Sequence, residues 1–362
     1  MGILRFLLAI AVVIAHSTPI FGITLVGGEI AVKTFFIISG FYMALVLSEK
    51  YIGTNNSYSL FITNRLLKLY PIYWVILLLS ILLSFVAFYQ NGLAGSQKIS
   101  SLVTAISNGT MTIPVFIWYC FSTVFIVFQD FFIFIGLNSD GTFSFVKDFH
   151  LSKEVMMRFM FLPQSWTIAL EISFYLIVPF LNKWKSWKLA CLFLFSITVR
   201  YWLRKQGFYS DPWSYRFFPS ELMYFLVGIF SYRFYSNLKQ SINKPFQIFS
   251  VILAIVVTIC YQFYNSKTSY ILYPYIIAFL IPGIFHYLKN NKLDSTIGEL
   301  SYPIYMSHIT IMIMIQKFKI PLIQSLGTTT ALVSILFSLL LSKLITVQIE
   351  SFRQSRVKVN LK

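Results

Sequence analysis

Apolar residues in this chain neither alternate nor recur every third or fourth position. They run on for about 20 residues at a time and are broken by short polar stretches that hold most of the lysines and arginines. Runs of that length cross the roughly 30 Å of membrane hydrocarbon as helices, because in lipid the backbone must satisfy its own hydrogen bonds. A closed barrel would need short strands of alternating polarity, which these continuous runs do not supply. The pattern predicts an all-α, polytopic transmembrane helix bundle of about ten spans, near 4–25, 30–48, 71–89, 165–182, 187–203, 216–234, 246–264, 270–288, 297–316 and 327–348. One more run, PVFIWYCFSTVFIVFQDFFIFIGL at 114–137, is long enough to cross, but Gln129 and Asp130 interrupt it.

Loop charge arbitrates, since Lys and Arg favour the cytoplasmic side. If 114–137 does not cross, Arg5, Lys50, Arg65, Lys68, Lys183, Lys185, Lys188, Arg233 and the basic residues near the C-terminus, including Lys358 and Lys362, all fall on that side. Lys98, Lys147, Lys153 and Arg158 fall on the other. If 114–137 crosses, every later loop flips and the bias nearly vanishes. Ten spans with both ends cytoplasmic is therefore the expected topology, with 114–137 at the outer surface or dipping in and returning. The first run starts like a signal peptide but continues into Thr18, Pro19 and Phe21 without a small-x-small cleavage site, so it is read as a retained span. No internal repeat or linker divides the chain. The expected organisation is one membrane domain over 1–350 and a short cytoplasmic tail over 351–362.

The net charge of +17 raises the question of nucleic acid. The cations lie in short clusters between apolar runs, with no aromatic-basic recognition module, so no nucleic-acid partner is expected. They suit membrane lipids or an anionic ligand instead. Cys120, Cys191 and Cys260 stand singly without C-x-x-C spacing, which predicts buried thiols and no disulfide framework or zinc site.

Several polar residues lie where lipid makes them costly. In RFLLAIAVVIAH, Arg5 and His16 are eleven positions apart, which on a helix places them about 20° from one face and about 16 Å apart along it. Arg5 would sit at the cytoplasmic rim and His16 near mid-bilayer. Either could serve structure alone, as an anchoring cation or as a helix-to-helix hydrogen bond. Glu171 in SWTIALEISFYLIVPFL lies five positions beyond the interfacial Trp166, and His308 in ELSYPIYMSHITIMIMI lies about halfway through its run, so the three polar groups could share a depth. They come from separate helices without metalloenzyme spacing, and no metal is expected. In FITNRLLKLYPIYW, Arg65 and Lys68 occupy one face of an interfacial helix predicted to stop at Pro71. They could be topology-setting charge or, with Arg5, a pocket for the phosphates of a nucleotide-like ligand. Glu29 and Lys33 are spaced for an i,i+4 pair, Gly40 in FFIISGFYM for close helix approach, and Arg216 and Glu221 either for a cavity or for partners of their own.

Taken together, these segments resemble acyltransferase family 3, the bacterial integral-membrane acyltransferases. RFLLAIAVVIAH matches that family's arginine, ten residues, histidine motif. AVKTFFIISGFYM, FITNRLLKLYPIYW, SWTIALEISFYLIVP and LSYPIYMSH resemble four further signatures in the same order. The likeness runs from Arg5 to His308. It departs at Lys33, where many members carry an acidic residue, and at Glu171, where the motif often has two adjacent acids. The resemblance implies a ten-span bundle in the bacterial inner (cytoplasmic) membrane. It implies a cytoplasmic acyl-CoA, usually acetyl-CoA, as donor substrate and a hydroxyl of an envelope carbohydrate or lipid-linked glycan as acceptor; it specifies neither the hydroxyl nor the oligomeric state. The soluble domain fused to some members is not expected here.

Residue chemistry fits that expectation. Histidine suits removal of a hydroxyl proton near neutral pH, which makes His16 the candidate general base, with a transient acyl carrier as the alternative role. Arg5, Arg65 and Lys68 would hold CoA phosphates, and Glu171 and His308 would orient the base or the acceptor. The competing reading is a non-enzymatic transporter or flippase for an envelope saccharide, in which the same charges bind substrate or relay protons.

Overall fold

A computed structural model describes residues 1–51, 57–152, 155–209 and 211–360, with side chains through 357. Lys153 and Lys362 of the charge pattern, and the side chain of Lys358, lie outside the described residues. The chain is predominantly helical: α1 (Gly2–His16), α2 (Gly28–Glu49), α3 (Ser57–Asn91), α4 (Gln97–Ser107), α5 (Ile113–Phe125), α6 (Trp166–Leu181), α7 (Ser186–Lys205), α8 (Phe218–Leu238), α9 (Lys244–Ile259), α10 (Lys267–Leu288), α11 (Lys292–Lys317), α12 (Leu326–Leu341) and α13 (Val347–Asn360). Each of the ten predicted runs coincides with a helix, and among the described residues six helical stretches are long and apolar enough to cross a membrane. On α3, Trp74, Leu78, Leu82 and Phe85 face outward at helical spacing, an apolar stripe suited to lipid.

The structure corrects four expectations. First, α1 ends at His16 rather than near residue 25, because Thr18 precedes Pro19, and a residue before proline is pushed out of the helical region. His16 is thus at a helix end and exposed. Second, α3 continues through Pro71 instead of stopping there; a proline inside a membrane helix is tolerated where neighbouring groups take up the freed carbonyl. Third, helices do not account for the whole chain: the run 114–137, expected at the outer surface or dipping in and returning, is broken by irregular backbone. α5 stops at Phe125, Ile126 and Phe128 take positive φ of 61° and 58°, and strand β1 (Ile135–Leu137) then pairs antiparallel with β2 (Phe143–Phe145). Fourth, Cys191 is exposed and Cys120 and Cys260 only half-buried, because an apolar thiol facing lipid need not enter the bundle.

The residues group into two compact units. The first comprises Met1–Ile72, Phe174–Cys191 and Met223–Lys362. Within it, α2 and α8 cross at two glycines. A Cβ on Gly40 would lie 2.0 Å from the Phe225 carbonyl oxygen, and one on Gly228 2.0 Å from that of Ile37. Beside this crossing, Phe36, Phe225 and Phe174 stack with ring centroids 4.6 and 4.3 Å apart. The close approach expected of Gly40 is thus present. Lys33, 1% exposed, donates to Glu29 at 2.6 Å and to the Tyr270 hydroxyl at 2.6 Å, so its charge is matched inside the bundle.

The second unit comprises Tyr73–Ser173 and Leu192–Leu222. Tyr119, Phe132, Met156 and Phe159 form its core, and the Tyr119 hydroxyl donates to the Phe159 carbonyl at 2.9 Å. Arg216 makes a two-pronged bond to Asp211 at 2.8 and 2.9 Å and lies over the Trp166 ring, while Glu221, fully buried, pairs with Arg200. Arg216 and Glu221 therefore each satisfy a separate partner.

In the first unit, α1 and α11 run side by side in the same direction. The Asp294 carboxylate, on the first turn of α11, accepts from the Gly2 and Ile3 amides at 2.7 and 2.9 Å and from the Met1 ammonium at 2.6 Å. It thereby caps α1 from a neighbouring helix and answers the positive end of the α1 dipole. Burial alone would raise the Asp294 carboxyl, but these hydrogen bonds outweigh it and hold the group below the usual carboxylate range. A carboxyl depressed in the folded state contributes stability above its unfolded pKa and loses it as the pH falls through the folded value.

Two outcomes follow for thermal unfolding of the purified protein in detergent. Gly40→Ala should lower stability by about 1–3 kcal/mol, because its Cβ must push two backbones apart; an unchanged midpoint would show that α2 and α8 do not cross so closely. Asp294→Asn should lose about 1–3 kcal/mol at neutral pH and flatten the decline of the wild type in acid. Parallel acid profiles for the two proteins would remove Asp294 from the account.

Candidate active site

The pairing of α1 with α11 fixes both ends of the site. At one end Gly2 and Gly298 let the backbones touch, since a Cβ on Gly298 would lie 2.7 Å from the Gly2 Cα. At the other end the His16 and His308 rings lie 5.2 Å apart, tilted by 37°. The two histidines expected only to share a depth are thus neighbours. His308 is fully buried, and its Nδ1 lies 2.6 Å from the Tyr305 carbonyl. A carbonyl only accepts, so Nδ1 carries the proton and Nε2 presents its lone pair. Nε2 is buried and has no hydrogen-bond partner among the described residues. His16, by contrast, is exposed and reachable by a substrate.

Nearer the start of α1, Arg5 and Lys68 line a small open cavity together with Glu299, Tyr302, Glu350 and Arg353. Four helices build it. The Tyr302 hydroxyl, on α11, donates to the Leu69 carbonyl of α3 at 2.8 Å. Arg353 Nε, on α13, donates to the Asn64 carbonyl of α3 at 2.7 Å. Arg356 donates to the side chains of Asn64 and Thr63, each at 2.9 Å. Between α12 and α13 the turns widen to a π-helix over Ser342–Thr346, which brings Ile345 and Thr346 to the cavity wall; such wide turns recur at functional sites. Among the described residues the side chains of Arg5 and Lys68 form no ion pair and no hydrogen bond. Both line the cavity.

The remaining candidates are placed as follows. Arg65 is buried on α3 with its guanidinium 5.7 Å from the Phe61 ring, within electrostatic reach of Lys68 but outside the cavity lining. Glu171 is half-buried on α6, in the second unit. The structure therefore brings His16 to His308, and Arg5 to Lys68. Sequence reasoning missed Glu299, Tyr302, Glu350 and Arg353. A signal existed for the last two: Glu350 and Arg353 have the i,i+3 spacing of a helical ion pair, although loop charge reads Arg353 only as topology-setting and passes over Glu350. Among the described residues no group of three His, Cys, Asp or Glu is close enough to hold a metal ion.

What this arrangement can do is present an anionic ligand at one end of α1 and a proton-accepting imidazole about 16 Å away at the other. No curated protein and no solved structure matches the chain. The model of one protein family does, under the description acyltransferase domain, over residues 1–103 and 97–347. With that match spanning nearly all of its length, the chain belongs to acyltransferase family 3 and is a membrane acyltransferase.

Proposed function

We propose that the protein moves an acyl group, in the first instance acetyl, from cytoplasmic acyl-CoA to a hydroxyl of an envelope carbohydrate or lipid-linked glycan. In this reading the ten helical runs are ten spans of the bacterial inner membrane, with both termini in the cytoplasm. The observation that carries it is the placement of two functions on one short helix: Arg5 faces a cationic cavity, and His16 lies beside the fixed His308 imidazole at the other end of α1.

Arg5 and Lys68, with Arg65 behind them, hold the CoA phosphates. The pantetheine arm then extends along α1 and delivers the thioester to His16. His16 removes the proton of the acceptor hydroxyl as its oxygen attacks the thioester carbonyl. The carbon-sulfur bond breaks, the oxygen ester forms, and the leaving thiolate of CoA recovers the proton from the imidazolium. His308, whose protonated Nδ1 is held by Tyr305, orients the base rather than replacing it, because it is itself inaccessible. Glu171 remains a candidate for positioning the acceptor.

The test uses protein in lipid nanodiscs with radiolabelled acetyl-CoA and a crude envelope glycan fraction. His16→Ala should lower transfer by at least about a hundredfold while changing acetyl-CoA affinity little, as loss of a general base does; retained transfer would exclude His16 as base. Arg5→Ala should weaken acetyl-CoA binding roughly ten- to hundredfold, the value of one charge-assisted contact. Equal affinity in that variant would remove Arg5 from the donor site.

A further inference from the structure

We propose that the C-terminal helix α13 is a working wall of the anion site: Arg353 binds the same phosphorylated ligand as Arg5 and Lys68, and Glu350 is a built-in counterion which that ligand displaces. The proposal rests on the reading of the cavity as a phosphate site and names a part of it outside every motif recognised in the sequence.

Three observations converge. Cations outnumber carboxylates in the cavity, with Arg5, Lys68 and Arg353 against Glu299 and Glu350, and Arg65 lies within electrostatic reach of Lys68 and Arg353. Of these, Arg353 is matched by Glu350, whereas Arg5, Lys68 and Arg65 have no such partner among the described residues. Arg65, 8% exposed, has a buried Nε without a hydrogen-bond partner among the described residues, and Arg5 and Lys68 are without ion pairs there. Gathering like charges without partners is unfavourable unless a ligand of opposite sign spans them, and several phosphates on one molecule do so.

The second observation is the preorganisation of Arg353. It is 6% exposed, its Nε is tied to the Asn64 carbonyl at 2.7 Å, and its Nη1 pairs with Glu350. Among the described residues Nη2 donates to no group, which leaves one prong of a fixed fork for a phosphate oxygen. The third is the role of Glu350. Gln354 holds it at 3.0 Å, and it stands among the cations where an incoming phosphate would seek the same donors. As carboxylate and phosphate repel one another, Glu350 lowers affinity for the anion and speeds its release.

The test measures equilibrium binding to the full chain in phosphatidylcholine nanodiscs, with acetyl-CoA and inorganic pyrophosphate as separate probes. Wild type should bind both. Arg353→Gln should weaken both roughly ten- to hundredfold, Arg353→Lys should recover part of the loss, and Glu350→Gln should tighten both severalfold. A gain of affinity in Glu350→Gln is not a consequence of damaged folding. If all three variants lose binding together, α13 only supports the fold and the proposal fails. If Arg353→Gln binds as wild type does while Arg5→Ala is weakened, the donor site stands and the proposal fails alone. If pyrophosphate binds with the predicted variant pattern but acetyl-CoA does not, the anion site stands and the acyl-CoA reading falls. Binding of neither probe by wild type overturns both.

Discussion

The structure depends on the parallel contact between α1 and α11. Asp294 caps the start of α1, Gly2 and Gly298 let the two backbones meet, and the same register sets His16 beside His308. A helix of 15 residues is too short to hold its place in a bilayer by hydrophobicity alone, since a full span takes about 20. Tertiary contact supplies what length does not. It also keeps the helix from sliding, and a slip of one residue would turn Arg5 from the cavity and His16 from His308 by about 100°.

Charge in the bundle sorts into two kinds. In the first unit Lys33 is matched by Glu29 and Tyr270, and in the second Arg200 by Glu221 and Arg216 by Asp211. Each of these charges has a counter-charge within the protein. Arg5 and Lys68 stand apart because the residues around them include no ion pair of theirs. That difference, rather than the presence of charge in a membrane protein, is what singles out the cavity for the proposed ligand.

Much of this was legible from pattern. Continuous apolar runs located ten helices, the eleven-residue interval of Arg5 and His16 put them on one face, and Gly40 announced a crossing. What escaped has physical reasons. Local rules said that Pro71 ends a helix, but packing carries α3 through it. Inside the run at 114–137, hydropathy does not register the two residues of positive φ that follow α5 or the short β1–β2 hairpin after them. His308 could be assigned a depth but not a neighbour, because period along one helix says nothing of which helix lies beside it. Arg353 was hidden by a general rule, that basic residues after a last span read as topology whatever they touch, and Glu350 with it, because its meaning lies in that pairing.

The most direct measurement is an experimental structure of the protein in nanodiscs with a non-transferable thioether analogue of acetyl-CoA. The account predicts the phosphates in the cavity at Arg5 and Lys68, and the carbonyl carbon on the order of 3 Å from the position an acceptor oxygen would take beside His16. An analogue whose phosphates lie elsewhere, or whose carbonyl ends far from His16, would contradict it.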